Sequence, residues 1–147
     1  VPDKYESGTP NTIGIAGLGA GARFILETGI GAVRSKEEAL TRMLIAGLAS
    51  IPGVEVYGVR DAARQTTSVS FTISGMSPSE VALKLDEDYR IMARPGLQCA
   101  PAAHKTIGTF PEGTVRLSPG FFTTQEEIKY SITAVAEIAS SHKERLS

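Results

Sequence analysis

Hydrophobic and polar positions along the chain divide it into helical and extended segments. Residues 1–11 carry turn formers and little periodicity and are expected to be an extended lead-in. A first helix is expected from Thr12 to Glu27, where Gly14, Gly17 and Gly21 recur at i, i+3 and i+7 and make one face smooth enough for close backbone approach. Each glycine costs an isolated helix about 1 kcal/mol relative to Ala, so tertiary packing must hold this one, and Thr28-Gly29 ends it. Ser35-Lys-Glu-Glu38 reads as a capping box opening a second helix to about Ser50. Its apolar stripe is Leu40, Met43, Leu44, Gly47, Leu48 and Ile51, and Pro52-Gly53 stops it.

Val54 to Tyr57 alternates as a short strand. Thr67 to Ser74 alternates more strictly, with Val69, Phe71 and Ile73 on one face and Ser68, Ser70 and Thr72 on the other. The polar stretch from Gly58 to Gln65 is expected to be a mobile hairpin connection. Ser77-Pro-Ser-Glu80 is a further capping box with Pro at the first helical position, leading a helix through Tyr89. A short strand is expected from Ile91 to Arg94, broken by Pro95-Gly96. A loop then runs to Gly113, and a second strand spans Thr114 to Ser118. Thr124-Gln-Glu-Glu127 caps a last helix whose buried stripe is Ile128, Ile132, Val135 and Ala139, with fraying expected from Ser140 onward.

After residue 34 the order is α-β-β-α-β-β-α. Short strands with amphipathic helices imply an α+β layer: a small antiparallel or mixed sheet with helices packed on one face, preceded by the Gly-rich helix. That first helix has no obvious place in the layer and is expected to dock on another part of the protein or on a second chain.

With 147 residues, 41% hydrophobic and 21% charged, the chain can bury roughly two thirds of its unfolded surface, so a core needs no disulfide or metal. Fifteen basic and 16 acidic residues leave a net charge of −1. No basic block marks a nucleic-acid partner. The apolar run from Ile13 to Leu26 is interrupted by Arg23 and falls short of the roughly 20 residues a membrane span takes. No basic segment precedes it as in a signal peptide, so no membrane partner is expected. The single cysteine, Cys99, excludes a disulfide framework within this sequence and fits a reducing compartment. A start at Val1, in the middle of a motif, reads as a piece of something longer.

Gly17-Leu-Gly19-Ala-Gly21 is glycine-rich like a nucleotide loop. It lacks a preceding strand, a correctly placed third glycine and a following acidic residue, so helix packing is the better account. Cys99 reads either as a small buried hydrophobe or as a reactive thiol. The surrounding Pro95, Gly96 and Pro101 shape a loop, where reactive groups are presented, and Arg94 or His104 nearby would favour its thiolate. One Cys and two His are too few soft ligands for zinc. Arg116, between Val115 and Leu117, faces away from them. It is either half of a surface ion pair or a planar fork for a carboxylate, and Arg94 carries the same two readings. Thr9, in the turn Gly8-Thr-Pro-Asn11, either belongs to a helix entry capped by Asn11 or Thr12, or offers its hydroxyl to a phosphate at a helix N-terminus.

Three blocks occur in one order: Tyr5-Glu-Ser-Gly-Thr-Pro-Asn-Thr-Ile-Gly-Ile, then Arg94-Pro-Gly-Leu-Gln-Cys-Ala, then Val115-Arg-Leu-Ser-Pro-Gly with Phe122-Thr-Thr-Gln-Glu-Glu-Ile. Together they resemble the cysteine desulfurase and selenocysteine lyase branch of the class V, fold-type I pyridoxal phosphate enzymes, over nearly the whole chain. The resemblance implies that residues 1–34 end a large domain and 35–147 form a C-terminal small domain. It implies that Cys99 is the mobile-loop nucleophile that takes sulfur from L-cysteine as a persulfide and releases alanine. Arg116 would bind the substrate α-carboxylate, with Arg94 beside the Cys loop. Thr9 would reach the cofactor phosphate of the other subunit of a homodimer. A sulfur-acceptor protein and a cytoplasmic location are further implications.

Two departures stand out. Leu97 and Gln98 occupy positions where the Arg-x-Gly-x-x-Cys group usually has a His pair. None of the six lysines (Lys4, Lys36, Lys84, Lys105, Lys129, Lys143) lies in the Ser-x-His-Lys context of the Schiff-base lysine, so this chain alone is expected to be inactive. The alternatives are a class V aminotransferase-like lyase or epimerase in which Cys99 is incidental, and a non-catalytic accessory or dimerisation domain.

Overall fold

The structure, a computed structural model, describes residues 8–146. Most of the expected extended lead-in, together with Lys4 and Tyr5, lies outside the described residues, as does Ser147. The chain forms two compact units, Val1–Ser35 and Lys36–Ser147.

In the first unit, α1 spans Thr12–Thr28. Asn11 caps it by accepting the Gly14 N–H on its side chain at 2.9 Å. Gly29, at φ +83°, ends it by donating its N–H to Ile25. None of the α1 residues is buried, and Ile13, Leu18 and Leu26 are strongly exposed.

The next helix, α2, spans Ile30–Ala49, so the capping box expected at Ser35 does not form. Gly31 does not interrupt α2, and the helix starts directly after Gly29, whose carbonyl accepts the N–H groups of Ala32 and Val33. The boundary expected at residue 34 therefore falls inside a helix. Glu38 instead pairs with Arg42 one turn on, a contact of small energetic weight at the surface.

In the second unit four strands, β1 (Val54–Tyr57), β2 (Val69–Ile73), β3 (Arg94–Gly96) and β4 (Thr114–Leu117), form one antiparallel sheet in the order β1-β2-β4-β3. The alternation in β2 buries Val69, Phe71 and Ile73. Their face joins Val56, Val115 and Leu117 in a core with Leu40, Leu44 and Leu48 of α2. The other contributors are Val81 and Leu85 of α3 (Pro78–Tyr89) and Ile128, Val135 and Ile138 of α5 (Gln125–Leu146). Helices thus cover one face of an antiparallel sheet, the α+β layer expected. Gly47 lets α2 approach α5 closely, since a Cβ there would sit 2.3 Å from Ile132 Cδ1.

The caps at Ser77 and Thr124 form as read. Ser77 and Glu80 exchange both bonds, with Pro78 in the first turn. Thr124 and Glu127 do the same ahead of α5. Two expectations are corrected. β3 begins at Arg94 and includes Pro95 and Gly96, because an edge strand tolerates a residue without an N–H. The loop after Cys99 contains α4 (Pro101–Thr106), with Pro101 in its first turn. The helix α5 continues through the tail to Leu146, with Ile138 and Ala139 buried ahead of that tail. The Gly58–Gln65 connection is tied down by Arg60, whose Nε donates to the Val56 carbonyl at 2.8 Å, and by buried Ala62.

Candidate active site on the open face of the sheet

The sheet face turned away from the helices carries Glu55 and Tyr57 of β1, Ser70 and Thr72 of β2, and Thr114 and Arg116 of β4. The register sets Tyr57 opposite Ser70, Ser70 opposite Arg116, and Arg116 opposite Arg94. Two guanidiniums therefore start from directly paired positions on neighbouring strands, with Cα atoms about 4.5–5.5 Å apart in such a pair.

Arg116 is half-buried, and its Nε is a buried donor without a hydrogen-bond partner. An unmet buried polar group costs about 1–3 kcal/mol, which an incoming acceptor would recover. No ion pair to Arg116 is present among the described residues. Two residues earlier on the same face, the buried Thr114 hydroxyl also lacks a partner.

Cys99 is exposed, which excludes the buried-hydrophobe reading. It stands in a tight turn from Leu97 to Ala100, closed by the Ala100 N–H to the Leu97 carbonyl at 2.9 Å. Both central residues, Gln98 (φ +52°) and Cys99 (φ +63°), are left-handed. That conformation costs a side-chain-bearing residue about 1–2 kcal/mol. It is held from below by the Gln98 amide, whose Nε2 donates to the carbonyls of Arg94 (3.1 Å) and Thr114 (3.3 Å). The turn lifts the sulfur towards Arg94, with 3.9 Å between Arg94 Nη2 and Cys99 Sγ.

At the base of the loop Gly113 (φ +81°) lies against the Gly96 backbone so closely that a Cβ would sit 2.2 Å from the Gly96 carbonyl carbon. His104 does not join the site. It is buried, its Nδ1 lies 2.7 Å from the Thr109 hydroxyl, and its carbonyl accepts the N–H groups of Thr109 and Phe110. The possible Cys–His pair is thus replaced by a structural histidine that organises the turn after α4. A cavity of about 510 Å³ beside the loop, lined among others by Tyr57, Thr72, Phe110 and Gly113, is bordered by neither arginine nor by Cys99.

Thr9 belongs to the first unit and is exposed just ahead of α1. The first turn of that helix contains no acidic residue, and its Gly14 N–H is already taken by the Asn11 side chain. The sequence singled out Cys99, Arg94, Arg116 and Thr9, and the fold brings the first three together. It did not single out Gln98 as a structural partner, nor Thr114. Their signal was only their place in the Cys loop and on the arginine strand.

The model of the aminotransferase class-V family matches residues 1–130. The chain belongs to the class-V aminotransferase family. Among curated members, it is 37% identical over 139 residues to a probable cysteine desulfurase of Methanothermobacter thermautotrophicus, covering 94% of this chain and 34% of that protein. It is 36% identical over 138 residues to probable cysteine desulfurase 1 of Mycobacterium leprae, covering 94% and 22%. The apo structure of a cysteine desulfurase from Thermococcus onnurineus NA1 superposes with a TM-score of 0.86 at 35% identity, over 95% of this chain and 34% of that one. The chain thus spans between 22 and 34% of the length of these class-V relatives.

Proposed function

We propose that the chain is the C-terminal part of a pyridoxal phosphate-dependent cysteine desulfurase, with residues 1–34 from the end of its large domain and 35–147 as its small domain. The observation that carries this reading is the exposed Cys99 sulfur held 3.9 Å from Arg94 Nη2, with Arg116 opposite Arg94 in the sheet. In this reading the guanidinium of Arg116, whose Nε has no partner, binds the α-carboxylate of L-cysteine as a charge-assisted fork. That fixes the amino acid at one end and leaves its sulfur towards the Cys99 turn. The Cys99 thiolate attacks that sulfur and keeps it as a persulfide as the substrate C–S bond breaks. The electron pair of that bond stays with the carbon skeleton, which takes up a proton and leaves as alanine. Arg94 holds positive charge where sulfur must carry negative charge during the attack.

The residues present fit part of the cofactor. The exposed Thr9, just ahead of α1, would offer its hydroxyl to the phosphate, reached in the partner subunit of a homodimer. The exposed apolar residues of α1 would then be covered by the rest of the assembly. When bound, pyridoxal phosphate would supply the electron sink that weakens the substrate C–S bond. The Schiff-base lysine would come from sequence beyond these 147 residues. The isolated chain is therefore expected not to turn over L-cysteine, and a borohydride-reducible cofactor adduct on one of its own lysines would contradict this.

The test is Cys99→Ser in the intact protein. L-cysteine binding should persist while alanine and sulfide production falls to background, because a hydroxyl is a poor nucleophile towards sulfur. Normal alanine and sulfide release from this variant would favour the lyase or epimerase reading with an incidental cysteine.

A further inference from the structure

Gln98 is the residue of the Cys loop whose side chain reaches back to the sheet. Its single amide nitrogen donates to one carbonyl on each of two strands, Arg94 on β3 and Thr114 on β4. The two carbonyls lie at opposite ends of the short β3–β4 ladder, where Arg94 pairs with Arg116 and Gly96 with Thr114. Gln98 thus ties the first of two consecutive left-handed residues to the strand that carries Arg94. The second of those residues is Cys99. Left-handed φ at both central positions of a turn is ordinarily met by Gly, Asn or Asp. Gln and Cys have no such preference, so the turn depends on a hold from outside itself.

We propose that Gln98 is the positioning residue of the nucleophile: its amide clamp keeps the turn closed, and the closed turn keeps the Cys99 sulfur beside the Arg94 guanidinium. The consequence for sulfur transfer rests on the proposed role of Cys99, but the clamp itself is a statement about geometry. It can be tested without turnover. A cation near a thiol favours an anionic alkylating reagent over a neutral one. The ratio of the two rates at one sulfur cancels its ionisation and its general accessibility.

In the intact protein, alkylation of the Cys99 peptide by iodoacetate and by iodoacetamide is followed by mass spectrometry at low ionic strength. Gln98→Met, of similar length but without a donor, should lower the iodoacetate-to-iodoacetamide ratio about threefold, the scale of losing one exposed charge contact. Arg94→Gln should lower it to the same level. The double variant should fall no further, because Gln98 acts through Arg94.

A loss of stability alone would not move this ratio in folded protein. An unchanged ratio in Gln98→Met, or a further fall in the double variant, would overturn the proposal. If Gln98→Met does not accumulate folded, Gln98→Ala, which has no donor and no added charge, takes its place. A ratio below that of the parent then supports the clamp, and the parent ratio overturns it. The nucleophile assignment is read separately through Cys99→Ser, so either idea can fail while the other stands.

Discussion

Gly113→Ala should be among the most damaging single-methyl additions in this domain, and Gly108→Ala provides its control. Both glycines have positive φ, +81° and +78°. An alanine there costs about 1–2 kcal/mol in backbone strain, offset by about 0.5 kcal/mol from a less mobile unfolded chain. Gly108 has nothing within 4 Å of an added Cβ, so its variant should lose only about 1 kcal/mol. At Gly113 the Cβ would stand 2.2 Å from the Gly96 carbonyl carbon, 2.3 Å from its oxygen and 2.7 Å from the Leu97 nitrogen.

Ordinary carbon contacts begin near 3.5 Å, so the two backbones must part by about 1 Å or more. Backbone cannot swing aside as a side chain can. β3 must leave β4, which forfeits about two ladder hydrogen bonds and the Gln98 clamp at ~1 kcal/mol for each bond. The expected total is about 3–4 kcal/mol. Urea titration followed by far-ultraviolet circular dichroism, compared at equal m-value, measures both variants against the parent. If Gly113→Ala costs within about 1 kcal/mol of Gly108→Ala, the close crossing does not hold the loop and the reasoning fails.

Gly47→Ala should cost about 1–3 kcal/mol by forcing Ile132 out of place, and adding Ile132→Ala should recover part of that loss in a double-mutant cycle; strict additivity would contradict the contact. Burial, and then the hydrogen bond to Glu137, raise the Tyr89 pKa to about 12, so Tyr89 binds its proton more tightly folded than unfolded. Its contribution to stability is full below pH ~10 and is lost as pH rises towards 12; Tyr89→Phe should flatten that alkaline decline in urea titrations, and an unchanged slope would exclude Tyr89 as its source. Arg116→Ala in the intact protein should raise the KM for L-cysteine by roughly ten- to a hundredfold, the equivalent of a charge-assisted contact of about 1.5–3 kcal/mol. An unaltered KM would remove Arg116 from the carboxylate site.

Sequence reading succeeded where the determining interactions are short in range. The boxes at Ser77–Glu80 and Thr124–Glu127 close over three residues, and the strict alternation from Val69 to Ile73 reports one buried face. It failed at Ser35–Glu38 because the helix had already started directly after Gly29, five residues earlier, and Gly31 did not interrupt it. Pro95-Gly96 read as a stop since pattern does not reveal which strand lies at an edge, and only an edge can absorb a proline. The site was visible as separate residues. That Arg94 and Arg116 face each other depends on strand order and register across 22 positions, and the Gln98 link to Thr114 spans 16. Neither leaves a periodic trace.

The strand order has a consequence for how the site comes apart. β4 is bonded on both sides, but β3 is bonded only to β4. Such a rim strand opens at lower free energy than the sheet interior. Opening it would carry Arg94 and the cysteine turn away as one piece, while Arg116 stayed with β2 and the core. Amides near Cys99 should therefore exchange with solvent well before those around Arg116. The reach of Cys99, the proposed sulfur carrier, can then be tuned by changes along the rim that leave Arg116, the proposed carboxylate anchor, undisturbed.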